Sequence, residues 1–287
     1  MQLRYDFVIS ELLLRVESTR KLQIPENFRA FLQESTLSQN PDVILHFLFE
    51  PVSEASDGSA GTQCTQNSLR NFQKAEKTEL GNGEYILRQD SSGRGSPCRI
   101  FISPGVADTF CSSGNWLSCI QMERTMLSFD RFFLHASAVI YQGKAYLFSA
   151  PSGGGKSTHA ALWQKHFGAK LLNGDKVLIE VREDQCIAHG SPVAGSSGIY
   201  EQASAPIAAV YLLKKEKENR VIPIPKRSAL MALYSEAIKD RKDPAFNTKL
   251  LDLIEKMLIC VPVHTLACLP EKSAVESVLQ KEEGMKP

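Results

Sequence analysis

Ala150-Pro-Ser-Gly-Gly-Gly-Lys-Ser-Thr158 decides how this chain is read. It follows the apolar run Ala145-Tyr-Leu-Phe148, which the pattern predicts as a buried strand. It opens into Thr158-His-Ala-Ala-Leu-Trp-Gln-Lys-His-Phe167, which the pattern predicts as a helix. Strand, glycine-rich turn, Gly-Lys-Ser and helix, in that order, are the context in which such a loop cradles phosphate. The glycines let backbone N–H groups converge on phosphate oxygens, and the helix N-terminus adds its positive dipole end. The predicted contact residues are Ser152, Gly153, Gly154, Gly155, Lys156, Ser157 and Thr158. Lys156 reaches the β- and γ-phosphates, and Ser157 supplies a hydroxyl to Mg²⁺. The first motif position is Ala150 rather than Gly, where a small residue suffices. A nucleoside phosphate is the expected ligand.

Composition narrows the classes around this loop. The chain has 287 residues, 43% of them hydrophobic, which is ample for one large or two modest domains. Thirty-three basic residues balance 32 acidic ones for a net charge of +1, so bulk electrostatics predict neither nucleic-acid nor membrane-surface binding. No apolar run reaches the roughly 18 residues a membrane span needs, and the first residues lack a signal-peptide pattern. A cytoplasmic location is expected. The seven cysteines form no C-x-x-C pair; Cys260 and Cys268, flanking a strand-like run, are expected to be small buried hydrophobes.

Residues 5–16 predict a strand, as do 44–49, 83–88 and 98–103, with residues 53–66 an exposed loop. The first 128 residues therefore read as a β-rich module without a catalytic constellation. Trp116, Leu117, Ile120, Met126 and Leu127 space as one face of a helix over 115–129. Phe132–Tyr141 predicts a strand, and Gln142-Gly143 turns it into the strand before the glycine loop. Two strands joined by two residues are an antiparallel hairpin, unlike the parallel arrangement of ordinary phosphate-loop enzymes. Beyond the loop, two short strands bracket Asn173-Gly174-Asp175-Lys176, and 188–200 forms a second Gly/Ser-rich loop. Residues 206–213 predict an apolar strand, 226–239 and 246–259 amphipathic helices, 261–267 a strand and 272–280 a helix. The fold class is α/β.

The hairpin, His135 on its first strand, Asp175 on a turn nineteen residues after Lys156, and the later Gly/Ser loop occur together. With Phe-Leu-His135-Ala-Ser-Ala and Leu-Leu-Asn-Gly-Asp175, this half, over roughly 129–270, resembles the HPr kinase/phosphorylase group. More distantly it is similar to ATP-dependent phosphoenolpyruvate carboxykinase. The resemblance implies a mixed-sheet P-loop kinase core over 129–287 and an ATP- and Mg²⁺-using phosphotransferase, with relatives that often assemble as homo-oligomers. It implies that Asp175 lies near the metal and the acceptor hydroxyl, with Ser157 and Asp175 on the metal and His135 beside them. Phosphoryl transfer needs a phosphate cradle, a metal and a carboxylate to receive the hydroxyl proton, which suits Asp175 independently. His159 and His264 are read as structural. The kinases of this group usually carry two adjacent acids where this chain has Gly174-Asp175, and Gly195-Ser-Ser-Gly-Ile-Tyr200 is not their Gly-Leu-Gly-Ile type. The expected acceptor is therefore a peptide, small protein or metabolite hydroxyl other than HPr, with Ser191 or Ser196 near the phosphate. The alternative is a nucleotide-binding regulator or scaffold.

Overall fold

The computed structural model describes residues 2–33, 40–49, 74–81, 84–90, 97–106, 110, 112–193 and 198–284. The loop expected at 53–66 and Ser196 lie outside them. The chain divides into two compact units, Met1–Met122 and Glu123–Pro287.

In the first unit, β1 (Leu3–Ile9) and β2 (Leu12–Ser18) form a hairpin where one strand was expected over 5–16. Ser10 and Glu11 both take positive φ (52° and 65°), the two-residue turn whose twist matches paired strands. The unit continues through α1 (Glu26–Arg29), β3 (Leu32–Gln33), β4 (Val43–Leu48), β5 (Lys74–Gly81), β6 (Glu84–Asp90) and β7 (Cys98–Ile102). The sheet order is β3-β1-β2-β4-β7-β6-β5, with β4 parallel to both β2 and β7. Phe7, Phe28 and Phe47 surround Trp116 with ring centroids 5.7, 5.2 and 5.6 Å away. The single helix expected over 115–129 is instead two, α2 (Ser113–Ile120) and α3 (Met122–Ser128). Gln121 between them is left-handed (φ 46°), which stops the helical ladder.

The second unit is an eight-stranded mixed sheet with helices. β8 (Arg131–Tyr141) and β9 (Lys144–Ser149) make the expected hairpin, with Gln142 and Gly143 at φ 49° and 75°. There follow α4 (Lys156–Phe167), β10 (Lys170–Asn173), β11 (Lys176–Val181), β12 (Cys186–His189), β13 (Ser204–Lys215), β14 (Arg220–Pro223), α5 (Lys226–Glu236), α6 (Pro244–Cys260), β15 (Val263–Cys268) and α7 (Lys272–Glu283). β9 pairs antiparallel with β8 but parallel with β13, which runs parallel to β15. The carboxyl ends of β9, β13 and β15 thus share one edge, a parallel half that the hairpin alone did not reveal. Because β9 also pairs with β13, the ladder β8–β11–β12–β13–β9–β8 closes on itself.

Alternation along β9 sorts its side chains between two layers. Ala145 and Leu147 enter a core with Leu250, Leu253, Ile254 and Met257 of α6. Tyr146 and Phe148 enter another with Trp163 of α4 and Val275 and Val278 of α7. Each fully buried large apolar side chain contributes about 1.5–3 kcal/mol. The strand that feeds the glycine loop is therefore anchored on both faces.

Candidate functional site

The loop 150–155 leaves the carboxyl end of β9 and enters α4. Gly153 (φ 74°) and Gly155 (φ 96°) use the left-handed region, and Gly155 is the N-cap of α4 with no side-chain cap bond. The first-turn amides are thereby left for an anion. At Gly154 an added Cβ would stand 2.5 Å from Ala150 Cβ and 2.8 Å from Pro151 O, so the loop folds too tightly for a side chain there. Lys156 is buried and donates to Ala150 O at 2.7 Å. Its own carbonyl accepts from Ser137 Oγ at 2.8 Å, tying the start of α4 to β8. Ser152, Ser157 and Thr158 are exposed. Gly168 closes α4 in the left-handed cap, with Ala169 N donating to Trp163 O.

His135 lies where both edges of β8 are interrupted. On one edge β11 pairs as far as Lys176↔His135, and β10 resumes at Asn173↔Ala138. Between them, Asn173 Oδ1 accepts from the backbone N–H groups of Asp175 (2.9 Å) and Lys176 (2.8 Å). The turn bond is thus made by Asn173, and the Asp175 carboxylate is left for His135, whose Nε2 is 2.8 Å from Asp175 Oδ1. On the other edge β9 ends at Ala136↔Ser149, and the Ser149 hydroxyl donates to His135 O at 2.9 Å. Beyond that gap Ala237 bridges Leu134, and His135 Nδ1 stands 3.6 Å from Glu236 Oε2. Asp175 and the end of β9 therefore flank β8 on opposite sides, about 10 Å apart at ordinary strand spacing. Lys156, His135 and Asp175 gather on one region of the unit, and Glu236 joins them. Sequence reasoning missed Glu236.

Beside the loop is a cavity of about 440 Å³ at the shared carboxyl edge, lined by Gly153, Thr158, Leu213, Lys215, Leu269 and Pro270 among others. Lys215 Nζ donates to Gly153 O at 3.2 Å. Cys268 also lines it; it and Cys260 are half-buried rather than fully buried, each packed as a small apolar group against one of the two cores. Burial pushes the Cys268 thiol up. The larger cavity between α5 and α6, about 600 Å³, contains none of the predicted site residues. Parallel-sheet ligands sit outside the carboxyl ends of strands, which favours the smaller one.

His159 is buried against Phe148 and accepts from Trp163 Nε1 at 3.3 Å; burial lowers its pKa to about 4. His264 is buried on β15 beside Tyr211, and burial lowers it too. Ser191, expected near phosphate, is buried, and its hydroxyl accepts from Val193 N at 3.2 Å. That corrects its assignment. Among the described residues no helix is long and apolar enough to cross a membrane.

No protein-family model matches the sequence, and no curated protein matches it. Among solved structures the chain is similar to the HPr(Ser) kinase/phosphatase from Coxiella burnetii, at 13% identity and a TM-score of 0.33. The match covers 54% of this chain and 99% of that one.

Proposed function

We propose that the chain is an ATP-dependent phosphotransferase of the HPr kinase-like kind, which phosphorylates a hydroxyl on a peptide, small protein or small metabolite. The observation that carries the reading is that His135, paired with Asp175, sits on β8 directly beside the end of β9 from which the glycine loop departs, its carbonyl accepting from Ser149 Oγ. A phosphate cradle and a held carboxylate are the two things the protein must supply for this chemistry. The uncapped start of α4 and the loop amides bind the phosphates, and Lys156 exchanges loop carbonyls for phosphate oxygens. The cavity at Leu213, Leu269 and Pro270 takes the nucleoside. Asp175, oriented by His135, receives the acceptor's proton.

Ser157 and Asp175 would hold Mg²⁺. A hydroxyl and a carboxylate are the hard oxygen donors this ion uses, with phosphate oxygens and waters completing the shell. When bound, it neutralises charge on the phosphates.

Incubation with γ-labelled ATP, Mg²⁺ and a panel of hydroxyl-bearing peptides and metabolites tests the proposal. Label transferred to an acceptor in wild type and lost in Lys156→Ala supports it. Tight ATP binding with every acceptor unlabelled and ATP intact would favour the regulator or scaffold instead.

A further inference from the structure

Glu236 has no part in the chemistry above, yet its position is particular. It is the last residue of α5, where an acid meets the negative end of the helix dipole and is locally unfavourable. Closing that helix end falls to Lys239, whose ammonium donates to Tyr234 O at 2.8 Å and Ser235 O at 2.7 Å. The Glu236 carboxylate turns toward β8, with Oε2 3.6 Å from His135 Nδ1 and 18% of its side chain exposed. That is ion-pair range, longer than a direct hydrogen bond.

Backbone bonds enforce the approach. Ala237 N donates to Leu233 O at 2.8 Å, Ala237 bridges Leu134, and Ile238 N donates to Phe133 O at 3.0 Å. The residues following Glu236 are thus tied to the strand that carries His135. An imidazole ring is oriented by whatever its second nitrogen meets. Here the two nitrogens face carboxylates from different elements, Asp175 from the β10–β11 turn and Glu236 from α5.

The geometry points to Glu236 as a positioning residue. Its charge holds the His135 ring so that Nε2 stays on Asp175, and so fixes the carboxylate that receives the proton. The consequence for turnover rests on the phosphotransferase reading; the contact itself does not.

Two measurements on the full chain separate these. Side-chain ¹H–¹⁵N correlation spectra at one fixed pH report which His135 nitrogen carries a proton; Glu236→Gln, of nearly the same shape, should change that pattern. Glu236→Asp, which keeps the charge, should restore it in part. A steady-state assay with ATP and Mg²⁺, using the best acceptor or water, should show Glu236→Gln lowering kcat about 10-fold with KM for ATP within about twofold, the size of effect seen when a group orienting a site histidine is lost. An unchanged ring pattern in Glu236→Gln overturns the proposal whatever the turnover. A changed ring with unchanged kcat overturns the positioning role. If wild type neither binds nor turns over ATP, the phosphotransferase reading fails, and the ring pattern alone decides whether Glu236 holds His135.

Discussion

The Lys156 ammonium is folded back on its own loop, donating to the carbonyl oxygen of Ala150 at 2.7 Å, with Pro151 O at 3.5 Å. A buried cation held by neutral carbonyls is ready to exchange them for anionic phosphate oxygens, which make stronger charge-assisted bonds. Replacing Lys156 by Ala should therefore weaken ATP binding by about 1.5–3 kcal/mol, roughly 10- to 150-fold in Kd. Titration calorimetry with Mg²⁺ checks this, and an unchanged Kd would remove Lys156 from the phosphate site.

The glycines of the loop should separate by position. Gly154→Ala forces a methyl group against Ala150 Cβ and Pro151 O, at 2.5 and 2.8 Å, so the loop must shift. Its ATP affinity should fall at least as far as in Lys156→Ala, while the melting temperature drops only modestly, since overpacking costs about 1–3 kcal/mol. At Gly153 nothing lies within 4 Å of an added Cβ, and the cost is the left-handed backbone alone, about 1–2 kcal/mol. Gly153→Ala binding ATP more weakly than Gly154→Ala would contradict the crowding argument.

Asp175→Asn keeps the shape of the side chain and can still bond His135, but it cannot take a proton. Phosphoryl transfer should fall by about 10²–10⁴-fold, the usual contribution of a positioned base. Nucleotide affinity should change little in the absence of Mg²⁺, because Asp175 stands across β8 from the loop. Undiminished turnover would exclude it as the base.

Local chemistry made the glycine loop and the hairpin before it readable, since Gly-Lys-Ser and Gln142-Gly143 each carry their own signal. His135 and Asp175 are expected together through the resemblance to the HPr kinase group, and the structure joins them at 2.8 Å. Glu236 was not legible. It reaches His135 through a bridge between Leu134 and Ala237, and no periodicity in α5 encodes that pairing. The missed turns share another cause: Ser10, Glu11 and Gln121 adopt positive φ without being Gly or Asn, so neither the first hairpin nor the break between α2 and α3 announces itself. Cys268 packs against a core as its strand pattern implies, but its place at the cavity is not encoded in that strand alone. Only the parallel pairing of β9, β13 and β15 puts its end beside the glycine loop.

Away from the site, Glu180 carries a pH dependence that can be signed. It is buried, with Oε1 2.8 Å from Arg131 Nη2, and Oε2 2.9 Å from Arg182 Nη2 and 2.8 Å from His189 Nε2. Burial pushes its carboxyl up, but the bonds from Arg182 and His189 and the charge of Arg131 outweigh this and hold it below the usual carboxylate range. In the unfolded chain it titrates near ~4.3. A carboxyl whose folded value is depressed stabilises fully above the unfolded value and loses that contribution as pH falls through the folded one. Glu180→Gln should cost about 3 kcal/mol near neutral pH, since it removes the carboxylate that accepts from Arg131, Arg182 and His189 together. The gap to wild type should be widest there and shrink as pH drops below about 4, as protonation discharges the wild-type carboxyl too. Urea unfolding of both proteins across that range measures it, and a gap as wide at pH 3 as at pH 7 would show that the cluster is not held by the charge of Glu180.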